Sequence, residues 1–225
     1  GLYPAASDGD DIVLYADESR ERERMRLPQL RNQQADRERN LSLADFVAPL
    51  GSGVKDYVGA FAVTAGLGLE ELAGRYRSEG DDYRAIMAKL LADRLTEAFA
   101  EALHRYARVT LWGYEREGQW SVGDLLAEKY QGIRPAFGYP SAPDHSLKAD
   151  VFALMDVGTV TGMTMTESYM IVPGEAACGL MLGHPEARNF SVGRIDSEQL
   201  ASYAARRGTD PEKMRVLIPQ HLIDM

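Results

Sequence analysis

The sequence predicts an α+β domain: a twisted, mainly antiparallel sheet with surrounding helices, one of them long and running near 81–106. Three observations point there. Short runs rich in β-branched and aromatic residues stand at 11–15 and 57–64, bounded by glycine or aspartate turns. Between 81 and 106, apolar residues recur with the period of a helix. The second half holds further segments with helix start and stop residues in suitable places.

In chain order, Asp8-Gly9-Asp10 makes a turn into a strand at 11–15. Residues 20–39 carry seven arginines interleaved with acids and glutamines, which suggests a solvated helix broken near Pro28, or a mobile linker. An apolar stretch over 41–49 ends in the flexible turn Gly51-Ser52-Gly53. Residues 57–64, lying before Gly66 and Gly68, read as a buried strand. In 81–106 the apolar positions include Tyr83, Ile86, Leu90, Leu95, Phe99 and Tyr106, the stripe of an amphipathic helix. Asp81 and Asp82 at its start, and Arg105 and Arg108 near its end, complement the helix dipole. Ser121 caps a second helix over 121–131, with Gly132 just past its end. A third spans 144–155. Segments 163–170, 179–183 and 190–195 are β candidates. A helix over 197–207 stops at Gly208, and Pro211 opens the last one at its first helical position.

At 225 residues the chain allows one large domain or two small ones, and it can bury about 70% of its unfolded surface without a staple. Its 34 acidic against 25 basic residues give a net charge of -9, so phosphate backbones repel it and no nucleic-acid partner is expected. The single cysteine, Cys178, excludes an internal disulfide and any zinc site built on cysteine pairs, and fits a cytoplasmic setting. No apolar run approaches the ~20 residues of a bilayer span, so no membrane role is expected. The chain starts at Gly1 without a basic-then-apolar leader, which reads as a chain processed or cut from something longer.

Residues 133–143, Ile-Arg-Pro-Ala-Phe-Gly-Tyr-Pro-Ser-Ala-Pro, separate two helices and cannot extend either. Pro135, Pro140 and Pro143 stiffen the backbone, and Gly138 permits a turn or a close approach. A rigid loop carrying an arginine suits a ligand cradle, in which Arg134 clamps a carboxylate with its planar fork. The same loop also suits a packed connection in which Arg134 caps a helix end.

The loop sequence from Arg134 to Pro140, followed by Pro143-Asp144-His145, resembles the R-P-x-x-G-Y-P-x-x-P-D/E-H motif in the activation domain of cobalamin-dependent methionine synthase. Other blocks resemble the family in the same order. They are Leu43-Ala44-Asp45-Phe46-Val47-Ala48-Pro49, the run from Tyr57 to Thr64, the run from Ala92 to Glu101, Tyr130-Gln131-Gly132-Ile133, Thr166-Glu167-Ser168 and His184-Pro185. The resemblance covers nearly the whole chain and implies one activation domain over 1–225, apparently without the family's N-terminal segment and its AdoMet-contacting aspartate. It implies binding of S-adenosylmethionine (AdoMet) for reductive remethylation of cob(II)alamin. Cobalamin would be held by a partner module of the same enzyme, which methylates homocysteine to methionine. A flavodoxin-type donor would supply the electron. The isolated chain would not turn over alone, since the two small molecules carry the chemistry. Two alternatives remain: a shortened module that docks on a corrinoid protein without holding AdoMet, and a free-standing reactivator of another corrinoid methyltransferase.

The resemblance also implies site residues. Arg134 matches the arginine that holds AdoMet, and Ala136 a position that contacts it through the backbone. Glu97 lies on the apolar side of the long helix and needs a partner there, either Arg94 or the ligand. Asn189-Phe190 stands where the family has an aromatic pair, the first commonly tyrosine. Phe190 also suits a buried strand position. Tyr139 matches a tyrosine that faces the corrinoid. His145 suits a cap or pair near Asp144, His184 a turn or a place lining the ligand or corrinoid site, Cys178 a small buried residue, and Glu101 a solvated or paired acid. Glu167 and Ser168 suit either polar groups at the site or packing roles.

Overall fold

An antiparallel five-stranded sheet organises the chain, in the order β3-β2-β1-β4-β7. The computed structural model describes residues 1–34, 39–218 and Leu222. The sheet strands are β1 (Leu2–Asp8), β2 (Asp11–Tyr15), β3 (Glu23–Pro28), β4 (Asp56–Thr64) and β7 (Ala176–Leu182). A small separate hairpin pairs β5 (Thr164–Met165) with β6 (Ile171–Val172). Among the described residues, seven α-helices surround these strands: α1 (Leu69–Ser78), α2 (Asp82–Tyr106), α3 (Val122–Leu126), α4 (Leu147–Met155), α5 (Val157–Thr161), α6 (Ser197–Arg206) and α7 (Pro211–Leu217). The fold is α+β, as the sequence predicts. No helix among the described residues is long and apolar enough to cross a membrane.

The arginine-rich segment corrects one expectation. It is neither a helix nor a linker over 23–28 but the edge strand β3, paired to β2. Each arginine there reaches a specific acceptor. Arg26 bridges Asp8 at 2.9 Å and Asp11 at 3.1 Å, and Arg24 donates to the Leu154 carbonyl at 3.0 Å. Just before the strand, Arg20 donates to the carbonyls of Ala5 and Asp56. Just after it, Arg31 joins Asp10 to Asp45, which ties the sheet to the capped 3-10 turn at Leu43–Phe46. The interleaved charges are thus latches on the sheet edge, and they also shield an open strand from pairing with another chain. Residues 35–38 of this segment lie outside the described residues. Pro4 inside β1 hides that strand from a pattern-based reading, because proline removes a ladder donor.

Alternation along β4 and β7 separates two cores. Val58, Ala60, Cys178, Leu180 and Leu182 face a large core shared with Leu43, Phe46, Phe137, Leu147 and Val151. Phe61, Val63 and Met181 face the opposite side, where they meet Ala100 and Ala107 at the end of α2. A third cluster, with Leu200, Tyr203, Met214 and Ile218, seats α6 and α7.

The long helix has the expected extent, but the stripe it buries is not the large apolar one. Ala85, Ala92, Thr96, Ala100 and His104 are buried, whereas Ile86, Leu95 and Phe99 are half or more exposed. Small side chains let the helix lie close against the sheet, which a stripe of leucines would prevent. A π-helical turn at Ala107–Leu111 extends it and turns Arg108 fully inward.

Three other elements depart from expectation. The helix over 121–131 stops at Leu126, because Glu128 takes a left-handed φ of 50° and the chain turns toward the sheet. The segment 190–195 forms no strand. Gly193 breaks it at φ 69°, and Val192 bonds the Pro140 carbonyl instead. In the 163–170 region, only two residues pair as β5.

Candidate functional site

The stiff segment after Gly132 is laid against β7. Ile133 exchanges both backbone hydrogen bonds with Leu182, Leu180 donates to the Pro135 carbonyl at 3.0 Å, and Phe137 donates to the Cys178 carbonyl at 3.0 Å. Odd-numbered residues therefore spend their backbone groups on the strand. The even-numbered residues Arg134 and Ala136 face the other way. Gly179 makes this pairing possible: a Cβ there would collide with the Pro135 carbonyl oxygen and lie 2.7 Å from Ala136 Cα.

A cavity of about 290 Å³ lies between this loop, α2 and the sheet face that carries Phe61 and Ala177. That is close to the lower end of small-molecule sites, roughly 300–1,000 Å³. Arg134, Ala136, Glu97, Tyr139, Asn189 and Phe190 all line it. The structure thus gathers these six residues into one cavity, although they come from positions nearly a hundred residues apart.

Each has a defined setting. Tyr139 donates to Glu97 Oε1 at 3.4 Å, so the partner of Glu97 is Tyr139 rather than Arg94. Glu97 itself is exposed, which corrects the expectation that it sits on a buried apolar side. Asn189 Nδ2 donates to Glu128 Oε2 at 2.8 Å. Phe190 is half-buried outside any strand and meets the Phe46 ring edge-on at 6.3 Å. Burial and the neighbouring Glu97 raise the Tyr139 phenol above its ordinary pKa, so it stays a donor.

Arg134 is held on one nitrogen. Its Nη1 lies 2.6 Å from the Tyr130 hydroxyl and 2.5 Å from Glu101 Oε2. Behind this pair lies Arg108, fully buried, stacked on the Tyr130 ring at 3.7 Å and bonded to Glu115 at 2.7 Å. His104 packs edge-on against the same ring. Burial, with Arg108 and Arg134 nearby, pushes its pKa down to about 2, so the imidazole adds no third positive charge. Burial likewise raises the Tyr130 phenol to about 12.

Some residues fall elsewhere. Glu167 and Ser168 lie by the β5–β6 hairpin and do not line the cavity. His145 contacts Lys148 Nζ at 2.7 Å and packs beneath Gly138, while Asp144 bonds Ser146 and Tyr203 instead. His184 serves a turn, accepting from the Glu186 amide at 3.1 Å. Cys178 is buried, with its thiol pushed up to about 12. Tyr130 and Glu128 also line the cavity, although the sequence does not single them out as ligand contacts. Glu101, expected as a solvated or paired acid, is paired with Arg134. A signal existed for its place beside the site. Glu97, Glu101, His104 and Arg108 recur at i, i+4, i+7 and i+11, a polar ridge along one helix face.

A family model described as vitamin B12 dependent methionine synthase, activation domain, matches residues 1–208. Among solved structures, the chain is similar to the crystal structure of the MetH reactivation domain bound to AdoHcy, with a TM-score of 0.97 and 43% identity. That match covers 100% of this chain and 70% of the other.

Proposed function

The chain belongs to the activation-domain family of vitamin B12 dependent methionine synthase, and from this premise we propose that its cavity binds AdoMet for the reductive remethylation of cobalamin held by a partner module. The observation that carries the reading is the convergence of Arg134, Ala136, Glu97, Tyr139, Asn189 and Phe190 on one cavity. The chemistry of that set fits the ligand. AdoMet has one carboxylate and two positive centres. A guanidinium suits the first, and the Glu97 and Glu128 carboxylates on the cavity wall suit the others. The solved relative is bound to AdoHcy, which is AdoMet after loss of its methyl group.

AdoMet supplies the methyl group, and a flavodoxin-type donor supplies one electron. The protein's own part is alignment. Residues 1–225 form one AdoMet-binding unit, in which Arg134 fixes the amino-acid end. The backbone of Ala136, held in place by β7, fixes the depth of the ligand. Tyr139, 54% exposed at the rim, faces the partner's corrinoid. A cytoplasmic setting suits the buried free thiol of Cys178.

The test is anaerobic. A cobalamin-loaded partner module, a chemical reductant and AdoMet labelled on the methyl group are combined with and without this chain. Label is expected on cobalamin only when the chain is present, and none without a partner module. Equal labelling in its absence would refute the proposed role.

A further inference from the structure

Arg134 reaches the cavity with only part of its guanidinium engaged. Among the described residues, its one hydrogen bond and its one ion pair are both made through Nη1. The remaining N–H groups are available to the cavity that Arg134 lines. A flexible arginine would lose side-chain entropy on binding unless something else fixed it. Glu101 does this. Its Oε2 takes Nη1 of Arg134 at 2.5 Å and accepts from the Tyr130 hydroxyl at 3.1 Å. Its Oε1 lies 3.8 Å from Arg108 Nη2. Arg108 is fully buried, stacked on Tyr130 and anchored by Glu115.

We infer that Glu101 is a positioning residue: with Tyr130 it pins one edge of Arg134 so that the other edge meets a ligand carboxylate. The inference rests on the proposed AdoMet site and adds to it the groups that set its arginine. Glu101 is not itself among the cavity-lining residues, so its effect on ligand passes through Arg134. The arrangement is also neutral as a set. Arg108 and Arg134 face Glu101 and Glu115, so the buried charges balance before any ligand arrives.

The experiment compares two ligands on the whole chain by calorimetry. S-adenosylhomocysteine carries the carboxylate; 5′-methylthioadenosine is the same nucleoside thioether without the amino-acid end. Glu101→Gln keeps the shape and removes the charge. It is expected to weaken S-adenosylhomocysteine roughly tenfold, the scale of one charge-assisted hydrogen bond, and to leave methylthioadenosine within about twofold of wild type. Tyr130→Phe should show the same selectivity with a smaller loss, about threefold. Equal weakening of both ligands would make Glu101 a general structural strut and overturn the inference. Unchanged or tighter S-adenosylhomocysteine binding would overturn it too, the latter by showing that Glu101 competes with the ligand for Arg134. Failure of the wild-type chain to bind either ligand is a separate result, which removes the AdoMet reading and this inference together.

Discussion

Arg134→Ala is expected to weaken AdoMet binding by at least ~30-fold. Removing one partner of a shielded charge pair typically costs about 2–5 kcal/mol, and each 1.4 kcal/mol or so is a factor of ten. The arginine side chain is only 20% exposed and sits in a cavity wall, so solvent screens the pair less than on an open surface. Arg134→Lys should recover only part of the loss. A point charge cannot bind Glu101 on one side and present a planar fork on the other. Stability without ligand should change by about 1 kcal/mol or less, a melting shift of no more than roughly 2–4 °C for a chain of this size. Arg108 remains near Glu101 to balance its charge. Normal AdoMet binding with a much earlier melt would make Arg134 a structural strut and not a ligand clamp.

The second large effect belongs to a residue without a side chain. Gly179→Ala places a Cβ against the Pro135 carbonyl and 2.7 Å from Ala136 Cα, both backbone atoms that cannot rotate aside. Relief requires the 133–137 segment to lift off β7, which breaks its hydrogen bonds to Cys178 and Leu180. Overpacking against backbone at a buried pairing should cost about 3 kcal/mol or more, a fall in melting temperature of roughly 6 °C or more. AdoMet binding should be lost with it, since Arg134 and Ala136 ride on that segment. Gly123→Ala is the control. Its Cβ meets only Ser121 Oγ, at 3.8 Å, and it sits in a surface helix. A Gly179→Ala variant that melts within a degree of wild type would mean that the loop does not press on the strand as described.

These two residues also show what the sequence makes legible. The proline and glycine punctuation of 133–143 marks a rigid segment carrying Arg134, and the resemblance singles out the six residues that meet in one cavity. Gly179 could not be read that way, because its constraint comes from a chain segment more than forty residues earlier. The 81–106 helix is plain from its period. Its buried side is not, because the alanine, threonine and histidine stripe that packs on the sheet is weaker in hydrophobicity than the exposed stripe of leucines. Charge pattern misled at β3. Arginine alternating with acid signals a solvated helix when read locally, but here the partners are distant carboxylates and carbonyls that only the folded sheet supplies. Glu101 was visible as one acid on a polar helix ridge; its tie to Arg134 depends on Tyr130, which arrives from a separate turn.

The central claim is that this cavity holds AdoMet through Arg134, and calorimetric titration of AdoMet into the wild-type chain and into Arg134→Ala tests it most directly. The account predicts saturable one-to-one binding by the wild type and at least ~30-fold weaker binding by the variant. Absence of AdoMet binding by the folded wild-type chain, or binding that Arg134→Ala leaves unchanged, would contradict it.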